Sequence, residues 1–432
     1  MQYFSTNKIS PIVNFKKATI NGQAPDKGLY FPEKIPVLKN GLIKNIEQYS
    51  NEAIAYEVIK PFVADTIPEA VLKKIVEETV NFSIPLVPIT ENIFSLELFH
   101  GPTLAFKDIG ARFMSRCLGY FVKDQSRKVT VLVATSGDTG GAVANGFYDV
   151  PNVEVIILYP SGKVSTVQEK QLTTLGKNIH ALEVKGTFDD CQQMVKEIFS
   201  NADQFPHIFL TSANSINVAR WLPQQFYYFF AYKQWQDKNE PPVISVPSGN
   251  FGNICAGLLA GASGLPVKHF IAACNANNVV PEFLQTNNYA PKKAIATISN
   301  AMDVGNPSNF VRILEIFNNE TTALKNTLSA YSISDAQTKE TLEKVYRENN
   351  YLLDPHGAVG YNALEQYLQL YPTEKGMVIE TAHPVKFFDV VEPNINAEIK
   401  IPAAIEHQLK LEKKAVLMEN NVEALKEFLL SL

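Results

Sequence analysis

Cysteine is scarce in this 432-residue chain: Cys117, Cys191, Cys255 and Cys274 stand far apart and form no C-x-x-C. Such spacing in a long chain predicts buried thiols in a reducing compartment and excludes a disulfide framework. No apolar run approaches the ~20 residues of a membrane-crossing helix. Met1 to Lys8 has no basic stretch leading into an apolar core, so no secretory leader is expected. The net charge of −5 argues against nucleic acid or an anionic membrane surface as the main partner. The seven histidines show no H-E-x-x-H or other metal-ligand spacing, so no metal is expected. Absence of a G-x-S-x-G elbow disfavours a serine hydrolase. Absence of G-x-x-x-x-G-K-[ST] and G-x-G-x-x-G disfavours nucleoside triphosphate and nicotinamide sites. What is present is core material: 46% hydrophobic against 19% charged residues, enough for two to three domains of a cytoplasmic protein.

Residues 1–85 mix turn signals (Asn21-Gly22, Asp26-Lys27-Gly28, Asn40-Gly41) with a helix-like stretch at 67–76 that has Pro68 near its first turn. They read as a small N-terminal domain, closed off by Pro85 and Pro88. Beyond about 94, strand-like runs at 129–135, 153–159, 179–184, 207–211, 243–247, 267–274 and 377–381 alternate with helical stretches. The helices are expected near 138–149, 166–176, 188–201, 214–236, 252–263, 307–318, 335–349 and 357–371. This alternation predicts α/β layers with parallel-rich sheets. The polar run from Gln236 to Pro242 reads as a loop between two lobes, 86–235 and 236–432.

Two of these strands empty into glycine turns that open helices. One ends in Thr135-Ser136-Gly137-Asp138-Thr139-Gly140, the other in Ser248-Gly249-Asn250-Phe251-Gly252-Asn253. Such turns aim backbone N–H groups at one point, which suits a phosphate or a carboxylate. The competing reading is an ordinary βα turn in which glycine only permits close packing. Upstream, Lys107 follows Leu104-Ala105-Phe106 and precedes an apolar face of Ile109, Phe113 and Met114. Near that face an amine is partly desolvated and favours its neutral, nucleophilic form, the raw material of Schiff-base chemistry. Alternatively, Lys107-Asp108 is a surface pair at a helix start. Ser212 to Arg220 ends a strand and starts a helix. Its small polar residues and Arg220 suit an anion, or Asn214 and Ser215 simply cap the helix. Thr381 offers a hydroxyl to a buried ring, and His383 reads equally as a structural histidine.

Taken in order, six segments resemble the threonine synthase family. His100 to Asp108 resembles its pyridoxal-phosphate lysine segment, Ala134 to Gly140 its substrate loop, and Pro247 to Asn253 its cofactor phosphate loop. Ser212 to Asn217, Ser299 to Val304 and Thr381 to Pro384 follow in matching order. The resemblance implies a fold-type II pyridoxal-phosphate enzyme, similar to the tryptophan synthase β chain, with two α/β lobes and a small N-terminal domain. It implies pyridoxal 5′-phosphate held on Lys107, with its phosphate at Gly249, Asn250, Phe251, Gly252 and Asn253 and its ring nitrogen at Thr381. Substrate contacts are implied for Thr135, Ser136, Asp138, Thr139, Asn214, Ser215 and Arg220. Asp138 stands where much of this fold type carries Asn, as it does in the threonine synthase branch. The implied reaction takes O-phospho-L-homoserine and water to L-threonine and phosphate, in a monomer or homodimer. A phospholyase giving 2-oxobutyrate and a non-catalytic ligand-binding relative are the rival readings.

Overall fold

The computed structural model describes residues 1–124, 127–205 and 207–432. In chain order its strands are β1 (Gln2–Ser5), β2 (Val13–Asn14), β3 (Tyr30–Pro32), β4 (Leu86–Pro88), β5 (Ile93–Glu97), β6 (Val129–Ala134) and β7 (Val153–Pro160). They continue with β8 (Ile179–Lys185), β9 (Phe209–Thr211), β10 (Val243–Pro247), β11 (His269–Cys274), β12 (Leu328–Ser332), β13 (Gly376–Glu380) and β14 (Ala415–Glu419).

Three sheets result. The antiparallel trio β2-β1-β3 packs with the helices Phe15–Asn21, Asn51–Val63 and Glu69–Thr79 as an N-terminal unit. Pro68 is the N-cap of that last helix, one position before its first turn. A five-stranded sheet runs β14-β8-β7-β6-β9, parallel throughout. A six-stranded sheet runs β12-β11-β10-β13-β5-β4, parallel except for β4. All residues of β6, β10 and β13 are buried. Continuous apolar runs are what a parallel sheet covered on both faces requires.

Sheet membership cuts across the partition expected at 86 and 236. β5 lies beside β13 with β4 outside it at the edge, and β14 crosses to the edge of the five-stranded sheet beside β8. Pairing over such sequence distances leaves no local signature. The helix expected over 214–236 is also interrupted. It forms as Val218–Trp221, a 3₁₀ turn Leu222–Gln224, and Gln225–Gln234. Pro223 within that turn has no N–H for the α-helical ladder. The helix Gln225–Gln234 has eight consecutive buried residues, Gln225 to Tyr232, so it runs through the interior.

Parallel pairing decides where chemistry sits. β5, β10 and β13 run in one direction, so the residues following them share one edge. β6 and β9 are likewise parallel. Lys107 lies downstream of β5, the Gly249 turn follows β10, and Thr381 follows β13. The Gly137 turn follows β6 and the Ser212–Asn217 loop follows β9. The carboxyl edge of parallel strands is where open α/β sheets place their ligands.

Candidate active site

At the end of β6, the Thr135 hydroxyl accepts N–H bonds from Gly137 (3.0 Å) and Gly140 (2.9 Å). Thr135 is therefore committed to shaping its own turn. Gly137 adopts φ 138°, and a Cβ there would lie 2.4 Å from the Gln168 side chain. Among the described residues the N–H groups of Ser136, Asp138 and Thr139 have no protein acceptor. Three donors thus remain at the start of the helix Asp138–Phe147.

The second turn is more open to an anion. Phe251 takes a left-handed φ of 60° as N-cap of the helix Gly252–Ala262. Its ring is buried edge-on against Phe310. Among the described residues none of the N–H groups from Gly249 to Asn253 finds a protein acceptor. The side chains here are spent on the frame. Asn250 donates to Ser215 Oγ (2.8 Å) and accepts from the Ser308 N–H (2.6 Å). Asn253 donates to the Pro247 carbonyl (2.7 Å). A Cβ on Gly249 would stand 2.6 Å from Met302 Cα and 2.9 Å from the Ala301 carbonyl. That backbone is itself held: the Ala301 N–H donates to His356 Nε2 (3.2 Å), and His356 Nδ1 faces Asp354 Oδ2 at 3.1 Å.

Lys107 opens the helix Lys107–Val122, anchored by Asp108, which accepts from the Thr103 hydroxyl (2.6 Å) and the Thr103 N–H (3.0 Å). The Phe106 N–H donates to the Thr381 carbonyl (2.8 Å), and Ala105 bridges Ala382, so Thr381 is fixed beside the lysine. Two consecutive tyrosines of Gln225–Gln234 tie this region to the second turn. The Tyr227 hydroxyl donates to the Phe106 carbonyl and the Tyr228 hydroxyl to the Asn253 carbonyl (2.7 Å).

The charges are concentrated at Asp138. Lys107 Nζ is 3.9 Å from Asp138 Oδ2, and Lys386 Nζ is 2.8 Å from Asp138 Oδ1. Gln168 Nε2 adds a 2.9 Å bond to the carboxylate. Burial alone would raise the Asp138 pKa, but the ammonium groups of Lys386 and Lys107 together hold it well below the usual range. For Lys107 burial wins: desolvation, aided by the charges of Lys386 and Arg220, lowers its pKa despite Asp138. The amine therefore gives up its proton more readily than a solvated lysine does. His383, by contrast, is structural. It caps the turn Pro384–Phe387 by accepting from the Val385 N–H (3.1 Å), and burial drops its pKa to about 4.

In the loop after β9, Ser215 Oγ accepts from Asn250 and from Asn309 Nδ2 (3.2 Å). Asn214 lies one residue before it, half-buried. Arg220 is 3% exposed, and its Nη1 donates to the Ala213 carbonyl. Its Nε is buried without a partner among the described residues, and burial lowers its pKa to about 10. A desolvated guanidinium with donors to spare suits an anion.

Sequence reading missed Lys386, Gln168, Asn309 and His356. Lys386 lies just past the Thr381-to-Pro384 segment, and nothing local separates it from a solvated lysine. The four cysteines are buried and free. Among the described residues no group of three or more His, Cys, Asp or Glu is placed to hold a metal, and no helix is long and apolar enough to cross a membrane.

These residues fit a ligand with a carbonyl for Lys107, a phosphate for the Gly249 turn and a ring nitrogen facing Thr381. The fit rests on the desolvated amine and on five unpaired N–H groups behind a glycine that leaves no space for a Cβ. The profile of the family described as "Pyridoxal-phosphate dependent enzyme" matches residues 85–380. "Threonine synthase N terminus" matches 2–80 and "Threonine synthase, C-terminal" matches 357–429. The threonine synthase of Haemophilus influenzae is 42% identical over 97% of both chains. The crystal structure of threonine synthase from Escherichia coli covers 100% of both chains with a TM-score of 0.92 at 40% identity. A pyridoxal-phosphate-bound threonine synthase from Brucella melitensis reaches 0.93 at 34% identity, covering 99% of this chain and 98% of its own. The chain belongs to the threonine synthase family of fold-type II, pyridoxal-phosphate-dependent enzymes.

Proposed function

We propose that this protein converts O-phospho-L-homoserine and water to L-threonine and inorganic phosphate, in the cytoplasm, with Lys107 as cofactor lysine and base. The observation that carries the reading is a largely buried, desolvated amine 3.9 Å from Asp138 of the first turn, in a region tied through Tyr227 and Tyr228 to a second turn whose N–H groups find no acceptor among the described residues. One turn serves the phosphate of the cofactor, leaving the other for an anionic substrate. When bound, pyridoxal phosphate supplies an electron sink for negative charge developing at the substrate's Cα.

The chain's own residues do the rest. The N–H groups from Gly249 to Asn253 would hold the cofactor phosphate, and the Thr381 hydroxyl would serve the ring nitrogen. That hydroxyl does not protonate the ring as a carboxylic acid would. Ser136, Asp138 and Thr139 offer backbone donors to one substrate anion; Asn214, Ser215 and Arg220 serve the other. Lys107 Nζ removes the Cα proton, and loss of a Cβ proton then lets the γ C–O bond break. Phosphate leaves into the Arg220 region. A proton returns to Cγ, the oxygen of water bonds to Cβ with one of its hydrogens while its other proton passes to the released phosphate, and Cα is reprotonated. Each proton transfer assisted by a positioned amine is accelerated about 10²–10⁴-fold. The Lys386 ammonium balances Asp138, so the carboxylate does not repel negative charge on a neighbouring ligand oxygen.

Incubation with O-phosphohomoserine, assayed for threonine against 2-oxobutyrate, tests the reading. Threonine in excess supports it; 2-oxobutyrate as main product replaces it with a phospholyase. Arg220→Ala should raise KM for this substrate by roughly tenfold or more, the cost of a charge-assisted contact, with a smaller change in kcat. An unchanged KM removes Arg220 from the substrate site. Gly249→Ala should weaken cofactor binding by more than about tenfold, because the Met302 backbone has to move away from the new methyl. Titration of the apoprotein with pyridoxal phosphate, followed by absorbance, measures this, and wild-type affinity would contradict the cradle.

A further inference from the structure

The substrate-side loop is braced from behind by the N-terminal unit. Arg312, on the short helix Phe310–Ile316, is fully buried. Its guanidinium spans three segments distant in sequence. Nε and Nη2 donate to the Tyr30 carbonyl of β3 (3.2 and 3.0 Å). Nη2 also reaches the Ile216 carbonyl (2.7 Å), and Nη1 reaches the Ser215 carbonyl (3.2 Å) and Asn309 Oδ1 (2.8 Å). Every acceptor is a neutral oxygen. The plane lies over the Trp221 ring at 4.4 Å, and Phe31, from the same strand as Tyr30, stacks on that indole. A planar fork with fixed donors sets the relative position of several carbonyls at once, which a flexible ammonium does not.

Asn309, oriented by Arg312, donates to Ser215 Oγ and to the Asn250 carbonyl (3.1 Å). Arg312 therefore acts on the loop after β9 and on the Gly249 turn together. A second tie is independent of it. The fully buried Asn217 donates to the Thr19 carbonyl of the N-terminal helix Phe15–Asn21 (2.9 Å) and to the Ser212 carbonyl (3.1 Å). At the end of that helix, Gly22 with φ +73° leaves so little space that a Cβ would lie 3.1 Å from Thr211 Oγ1 and 3.3 Å from the Ser212 carbonyl.

We infer that the N-terminal unit positions the loop that receives the substrate's anionic group, with Arg312 as the positioning residue that transmits it. The inference rests on the proposed role of Asn214, Ser215 and Arg220. Arg312 touches no ligand; it fixes where Ser215 presents its hydroxyl and its N–H. A cation spent wholly on carbonyls beside an anion site also contributes favourable potential in a low-dielectric interior.

Arg312→Lys keeps the charge and loses the fork; Gly22→Ala pushes on the loop from the N-terminal side and touches nothing in the site. In the holoenzyme, Arg312→Lys should raise KM for O-phosphohomoserine about tenfold while kcat changes less than about threefold. The inorganic phosphate concentration giving half-maximal thermal stabilisation should rise by a similar factor, about tenfold, with the cofactor absorption spectrum unchanged. Gly22→Ala should move both quantities in the same direction. Loss of stability alone, with KM and the phosphate midpoint unchanged, would overturn the inference, as would a fall in kcat at constant KM. If Arg312→Lys does not fold, Gly22→Ala still decides whether the N-terminal unit positions the loop, and Asn309→Ala, which removes the side chain that Arg312 orients, decides whether Arg312 transmits it. A wild type that ignores O-phosphohomoserine refutes the substrate reading, while the phosphate midpoints still test the brace. No phosphate stabilisation in the wild type overturns the brace.

Discussion

Lys107→Ala is expected to abolish turnover and, with it, the visible absorption of the lysine-bound cofactor. Two losses combine. The substitution removes the nitrogen that anchors the cofactor covalently, and it removes the base at Cα, whose share alone is about 10²–10⁴-fold per assisted step. The phosphate contacts proposed for Gly249 to Asn253 do not involve this side chain, so the cofactor should still bind, non-covalently and more weakly. Lys107→Arg should be equally inactive, because guanidinium stays protonated and is no nucleophile at neutral pH. The check is single-turnover threonine formation together with the absorption spectrum. Activity within about 100-fold of wild type would mean that another amine performs the proton transfers. Lys386 is then the first suspect, as it shares Asp138 with Lys107.

The second large effect concerns that pair. Lys386 is fully buried, with its ammonium on Asp138 and on the Thr103 carbonyl (2.8 Å). Lys386→Met should lower stability by about 3–5 kcal/mol, because a buried carboxylate loses its closest counter-charge. Replacing both partners, as Lys386→Met with Asp138→Asn, should recover most of that loss, since a buried pair exchanged for neutral groups is close to neutral. The pH dependence has a definite sign. The folded-state pKa of Asp138 is depressed, so its contribution is fully present above the unfolded value of about 3.9 and is lost as pH falls toward the folded value. The stability gap between wild type and the double variant should therefore change little at neutral pH and shift only in acid. Urea unfolding of the holoproteins measures it. A single variant as stable as wild type at neutral pH would show that Asp138 is not ionised there.

The central features were legible because they are local. A strand running into Ser-Gly-Asp or Ser-Gly-Asn is written in consecutive residues, and so is the Lys107 segment. Their pattern also reached the α/β class and most helix positions, since apolar spacing within one element needs no partner. What was not legible depends on distant pairing. β5 hydrogen-bonds to β13 across about two-thirds of the chain, and β14 joins β8, so the sheets do not follow the linear partition. Thr135 looked like a ligand group, but its hydroxyl closes its own turn. Asn250 and Asn253 are expected at the cofactor phosphate; only the fold shows that both side chains hold the frame and leave just their N–H groups for a ligand. Arg312 and Lys386 carry no marker distinguishing them from surface cations, and only the fold shows that each is fully buried.

One measurement tests the account most directly. The holoprotein is reduced with borohydride, digested, and searched by mass spectrometry for the lysine bearing the pyridoxyl-phosphate mass. The account predicts the modification on Lys107 alone. Finding it on Lys386, or on a lysine remote from the Gly249 turn, would contradict the assignment of the site.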